Sequence, residues 1–170
     1  RDARWGRVME TTGEDVYLNG LFAAAQVEGF QSEGISACVK HFAAYGAPEA
    51  GRDYNSVDMS ERMLRQNYLP AYKAALDAGA KMVMTSFNSL NGIPAAANKK
   101  LVKGILRDEW GFDGYVVSDW GAVNDRVKSL KAGLDLEMPH GSDENDEMIV
   151  KAVQSGELDE KTLDLTCERI

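Results

Sequence analysis

The sequence predicts an α/β fold of parallel βα units, and two patterns carry that expectation. Four short runs at residues 35–42, 82–87, 115–119 and 134–138 have strand length and are rich in Val, Ile, Met and aromatic residues. They show little two-residue alternation, as strands do when crossover helices cover both faces of a parallel sheet. Amphipathic stretches of helical length lie between them, and such alternation implies a parallel sheet with right-handed crossovers. A closed eight-stranded βα barrel takes about 250 residues, so four strands in 170 residues fall short of one. Residues 1–170 read as a single domain, either half of such a barrel or a small open sheet. No repeat, linker or low-complexity tract divides the chain.

Each helix has its own signals. Over 16–31, Leu18, Leu21, Phe22 and Ala25 step by three and four and mark an apolar face. Asp58 and Glu61 have capping-box spacing before Met63-Leu64, and Gly79 is placed to close that helix. Pro70 in its interior removes a hydrogen bond and predicts a bend. Asn98 is placed to cap a third helix with the apolar face Leu101, Ile105 and Leu106, ending near Gly111. Further helices are expected over 123–132, 147–154 and 160–169.

Composition narrows the function classes. Apolar residues make up 44% and charged residues 27%, which is ordinary for a globular domain. The net charge of −8 repels phosphate backbones and no basic stripe is present, so nucleic acid is not an expected partner. No run of about 18 apolar residues exists to span a membrane. The acidic run at 143–147 reads as a solvated loop or a helix start. Cys38 and Cys167 are too few for a disulfide framework and lack metal-type spacing; Cys38 reads as a small buried side chain. The chain opens on Arg1-Asp2 without an initiating Met, as an excised segment would.

Polar residues collect at strand ends. Lys40-His41 closes the first run, Met84 to Asn88 the second, and Ser118-Asp119-Trp120 the third. Parallel βα barrels place their active sites at this carboxyl edge, where strand-end side chains converge. A carboxylate there can attack or stabilise an oxocarbenium-like centre, and Trp offers an apolar face to a sugar ring. Lys, His and Arg can donate hydrogen bonds to hydroxyls. Each residue also has a plainer reading. Asp119 could be a helix N-cap before Gly121-Ala122, His41 a satisfied core histidine, and Met84 simple core. Arg7 and Arg52 could pair with surplus carboxylates. Glu137 faces the same edge and is taken as structural. The Gly111–Gly114 turn does not match a phosphate-binding loop, which ranks a nucleotide-binding domain last.

Five blocks together resemble glycoside hydrolase family 3, in family order across nearly the whole chain. They are Arg4-Trp5-Gly6-Arg7 with Gly13-Glu14-Asp15, VKHFA at 39–43, VMTSFNSLNG at 83–92, WGFDGYVVSDW at 110–120 and AGLDLEMP at 132–139. The wording KHFAAYGAPEAG followed by RDYN is most similar to the bacterial β-glucosidase and β-xylosidase branch. The resemblance implies half of a TIM-type (β/α)8 barrel, the C-terminal half of the family's N-terminal domain. It implies that Asp119 is the nucleophile of a retaining mechanism and Trp120 the aromatic beside it. Lys40, His41 and Arg7 match residues that bind the first sugar, Arg52 matches another arginine across a looser loop, and Met84 and Phe87 match subsite walls. Many members carry Tyr where Phe87 stands, so that hydroxyl's hydrogen bond is missing here. The N-acetylglucosaminidase branch has a Pro and a second His after its Lys-His-Phe; this chain reads Ala43-Ala44-Tyr45-Gly46, which argues against that branch.

The resemblance also implies that the acid/base glutamate belongs to a second domain beyond Ile170 and that the barrel's first strands precede residue 1. The expected substrate is a β-linked oligosaccharide or glycoside ending in glucose or xylose. No metal or organic cofactor is implied, and the family favours a periplasmic or secreted setting. The isolated chain is expected to be inactive and, with two unpaired strand edges, to form a homodimer. The rival reading is a non-catalytic half-barrel serving as a folding unit or weak sugar binder.

Overall fold

In the computed structural model, which describes residues 2–170, the first half runs helix α1 (Val16–Ser32), strand β1 (Cys38–Phe42), strand β2 (Ser56–Val57), and helices α2 (Glu61–Met63) and α3 (Pro70–Asp77). Strands β3 (Met82–Thr85), β4 (Ser89–Leu90), β5 (Ile93–Pro94) and β6 (Tyr115–Val117) follow. Helices α4 (Arg126–Ala132), α5 (Asp143–Gln154) and α6 (Glu160–Arg169) complete the chain. π-Helical segments at Leu64–Tyr68 and Lys100–Glu109 fill the intervals.

Strands β1, β3 and β6 form a parallel sheet in that order, which with its helices makes an α/β half-barrel. Register puts Val39, Val83 and Val116 in one row. Val83 and Val116 are buried there with Phe42, Leu101, Val102 and Leu106, and Val39 packs against them. The opposite row, Cys38, Met82 and Tyr115, is only half-buried. Both faces were expected to be covered; among the described residues, helices cover one. Gly114 leads into β6 because a Cβ there would lie 2.2 Å from the Lys81 carbonyl oxygen.

The fourth expected strand is reduced to a single parallel bridge between Leu136 and Val117. The reason is Asp135, whose carboxylate accepts the Val116 N–H at 2.7 Å and so replaces a ladder bond. The same buried carboxylate pairs with Arg107 and, at 3.1 Å, with Arg169. Arg107 also donates to the Gly114 and Gly133 carbonyls, at 3.1 Å each. One acid thus ties the Lys100–Glu109 helix, β6 and α6 together, and a buried carboxylate is tolerated only when paired this fully.

Three helix expectations need correction. The stripe Leu18, Leu21, Phe22 and Ala25 faces solvent; α1 instead packs Ala23 and Val27 toward Ala75 and Ala80. Its Gly20 allows a close approach to α3, with a Cβ placed 3.4 Å from that of Ala74. The helix is apolar on two sides, so periodicity alone did not say which side is inward. Ser60, rather than Asp58, caps α2 by accepting the Met63 N–H. Pro70 begins α3 as its first residue, and the turn before it widens so that Leu69 N–H reaches the Leu64 carbonyl at 3.0 Å. Asn98 caps the next helix as expected, accepting the Leu101 N–H at 3.1 Å. Helix α5 starts at Asp143 behind the Ser142 cap, four residues before the expected start. Its acidic first turn suits the positive end of the helix dipole.

A second small sheet, β2-β4-β5, lies beyond the end of β3. Its hairpin turns on Asn91 and Gly92, at φ 50° and 81°. Asn-Gly adopts this left-handed pair with little strain.

Candidate active site

The ends of β1, β3 and β6 bring Lys40-His41, Met84 to Phe87 and Asp119 to one edge of the sheet. The segment after β6 is fixed from below by Ser118. Its N–H donates to the Leu136 carbonyl at 2.9 Å, and its hydroxyl accepts the Met138 N–H at 2.9 Å. Gly121 N–H then reaches the Met138 carbonyl at 3.0 Å, closing the turn that presents Asp119.

Asp119 is 8% exposed. Its Oδ1 accepts the Trp120 N–H at 2.7 Å, while its buried Oδ2 has no hydrogen-bond partner among the described residues. The helix-cap reading is excluded, because α4 begins seven residues later and Asp125 caps it. A buried carboxylate oxygen without a partner is uncommon, since desolvation goes uncompensated.

The nearest side chain is His41, 7% exposed, with Nε2 3.4 Å from Asp119 Oδ2 and 3.3 Å from Arg7 Nη1. Burial, with Arg7 and Lys40 nearby, pushes the imidazole down to about 4. The ring is therefore neutral near pH 7, and its approach to Asp119 is not an ion pair. Its two contacts are alternatives: a protonated Nε2 can donate to Asp119, and a bare Nε2 can accept from Arg7.

Arg7 is gripped by Glu10, with Nε–Oε1 at 2.8 Å and Nη2–Oε2 at 2.6 Å, and lies over the Tyr45 ring at 5.5 Å. The Glu10 hydrogen bonds raise the guanidinium pKa further. Arg7 thus pairs with a carboxylate and faces the site at once. Lys40 is exposed, and no hydrogen bond to another described residue holds it. Met84 pairs with Val117 and is half-buried. Phe87 meets Tyr54 edge-on, with centroids 4.5 Å apart. Trp120 is 54% exposed beside Asp119.

Arg52 is exposed after the Glu49–Gly51 turn and is not brought into contact with Asp119, His41 or Arg7. The loop reaches the site through its neighbours instead: Asp53 accepts from the Trp5 indole, and Tyr54 abuts Phe87. Gly51, at φ 65°, lets the Arg4-Trp5 backbone pass where a Cβ would lie 2.8 Å away. Glu137 is held by Arg126 at 3.5 Å and Asn145 at 3.3 Å, in keeping with a structural role.

Sequence reasoning gave no role to Glu10, Tyr45, Asp53 or Tyr54. Glu10 was findable as the acidic partner three residues after Arg7. Nothing in spacing marked the others. A cleft of about 640 Å³ opens beside β1, with Glu10, Lys40, His41 and Tyr45 on its wall, in the size range of small-molecule sites. His140, Asp143 and Asp146 have ligand atoms within 4.8 Å of one another but are exposed at the start of α5.

Comparison with known proteins places this edge in context. The periplasmic beta-glucosidase of Salmonella typhimurium is 46% identical, over 81% of this chain and 20% of that protein. Thermostable beta-glucosidase B of Acetivibrio thermocellus is 45% identical, over 97% of this chain and 22% of its own length. The chain therefore spans about a fifth of these relatives. The crystal structure of beta-glucosidase from Listeria innocua in complex with glucose superposes with a TM-score of 0.93 at 47% identity, covering 99% of this chain and 26% of that one. The glycosyl hydrolase family 3 N terminal domain matches residues 1–170. A parallel half-barrel with an unpartnered carboxylate oxygen at its carboxyl edge, and relatives of this closeness, make the chain a member of glycosyl hydrolase family 3.

Proposed function

We propose that residues 1–170 are the later half of an N-terminal barrel domain in a retaining β-glycosidase that releases terminal β-D-glucose or β-D-xylose. The supporting observation is Asp119 Oδ2, buried, without a hydrogen-bond partner among the described residues, and 3.4 Å from a neutral imidazole. Asp119 attacks the anomeric carbon as a general acid protonates the leaving oxygen, and water then frees the sugar. The acid is a glutamate outside this chain, placed about 5–5.5 Å from Asp119 as retention requires. Lys40, His41, Arg7 and Arg52 bind hydroxyls of the first sugar, and Met84, Phe87 and Trp120 form its walls. The glucose bound by the Listeria innocua relative favours a glucoside, and the periplasmic Salmonella relative favours a periplasmic or secreted setting.

A slow 2-deoxy-2-fluoro-β-glucoside tests the nucleophile. In the complete polypeptide it should leave a fluoroglucosyl adduct on the peptide containing Asp119, detected by mass spectrometry. An adduct on another carboxylate would transfer the role.

Taken alone, the 170-residue chain is inactive and associates as a homodimer. The free edge of β1 offers unpaired backbone groups, and Tyr17, Leu18, Leu21 and Phe22 expose an apolar face on α1. At about 25 cal/mol per Å², covering a few hundred Å² favours association by several kcal/mol before entropy costs. Sedimentation equilibrium at micromolar concentration should give twice 18.6 kDa. A folded monomer overturns this.

A further inference from the structure

We propose that Tyr45 is the positioning residue of the site: its buried ring fixes His41 and Arg7 in place against Asp119. The inference rests on reading Asp119 as the nucleophile. Tyr45 is 3% exposed, so it acts chiefly through the residues packed around it. Its ring lies edge-on to His41 at 4.9 Å and to Trp5 at 5.3 Å, under Arg7 at 5.5 Å, and 6.2 Å from Phe87. These four arrive on three separate stretches of chain: the N-terminal segment, β1 and the end of β3.

The neighbouring side-chain tethers act more locally, although the Asp2 N–H also joins the N-terminal segment to the Gly46 carbonyl at 3.1 Å. Glu10 grips Arg7 within one short turn, so it travels with Arg7 and cannot fix it relative to β1. Trp5 is tied to Asp53, again away from the sheet. Tyr45, three residues beyond β1, directly follows Ala44 at φ 66° and packs the N-terminal segment against the strand that carries His41. His41 Nε2 sits 3.3 and 3.4 Å from its two neighbours, so a small ring rotation decides which contact forms. Burial pushes the Tyr45 hydroxyl up to about 12, so it stays a neutral phenol, with its hydroxyl toward Arg7 and Asp53.

In the complete polypeptide, Tyr45→Leu is expected to lower kcat/KM on an aryl β-glucoside about a hundredfold, the scale of an ångström's misplacement. The same substitution in a His41→Ala background should cost about tenfold or less, because the main group it positions is gone. Tyr45→Phe, which restores the ring, should recover activity to within about threefold of wild type, on the same positional argument. A merely structural tyrosine would cost the same in both backgrounds, and that result overturns the proposal. So does a loss in Tyr45→Phe as large as in Tyr45→Leu. If Tyr45→Leu fails to fold, Tyr45→Met, closer in volume, carries the same cycle. Azide rescue of Asp119→Ala separates the two readings. If rescue succeeds while the Tyr45 cycle is additive, only the positioning role fails. If Asp119→Ala stays active, the nucleophile reading fails first.

Discussion

Asp119→Ala in the complete enzyme is expected to lower kcat on an aryl β-glucoside by roughly four orders of magnitude, the scale seen when one member of a covalent catalytic set is removed. In the proposed mechanism the substitution deletes the attacking atom itself, so no neighbouring group can compensate. Folding should survive, because Asp119 supports the structure through one bond, Oδ1 to the Trp120 N–H. Such a bond contributes about 0.5–1.5 kcal/mol. Its other oxygen has no hydrogen-bond partner among the described residues. Added azide enters the space left by the carboxylate and attacks from the same face, so a substrate with a good leaving group should give the azide of inverted configuration. Near-normal turnover without azide would remove Asp119 from the mechanism.

His41→Ala and Lys40→Ala should each raise the barrier by about 3 kcal/mol, as when a positioned donor is lost where charge develops. The two act differently. Lys40 is exposed, with no hydrogen bond to another described residue, whereas His41 is buried, neutral and packed against its neighbours. The pH dependence of stability distinguishes them. The folded-state pKa of His41, about 4, lies below its ordinary 6.5, so the unfolded chain binds this proton first. His41 therefore erodes stability as pH falls from 6.5 toward 4 and adds no slope above 6.5. Urea unfolding of His41→Ala should show a shallower loss across that window, and Lys40→Ala only a small change in slope, because burial and Arg7 outweigh Lys40 in lowering the imidazole. Unchanged kcat/KM in both variants would end the subsite assignment.

The local alphabet made much of this chain legible. Strand-length apolar runs ending in Lys40-His41 and Ser118-Asp119-Trp120 gave the parallel sheet and its functional edge, because strand direction orders what lies at each carboxyl end. Asn98 as a cap and Pro70 as a break depend on one residue's own donors and acceptors, and both were readable. The Asn91-Gly92 hairpin was equally local, but it stood inside a block read for its chemistry.

What the sequence could not determine shares one property: it depends on residues far apart in the chain. The inward face of α1 was settled by Ala74 and Ala75 of α3, since both sides of the helix are apolar. The fourth strand shrank to a bridge because the Asp135 side chain took a backbone donor of β6, a contact between residues nineteen apart. At the site, strand-end position drew attention to His41 and Asp119, and the family resemblance added Arg7. Only the tertiary structure brought them within 3.4 Å, drove His41 neutral by burial and placed Tyr45 among them. Residue type sets which chemistry is possible. Distance and desolvation, which arise from packing, decide which groups carry charge and which atoms are left free to react.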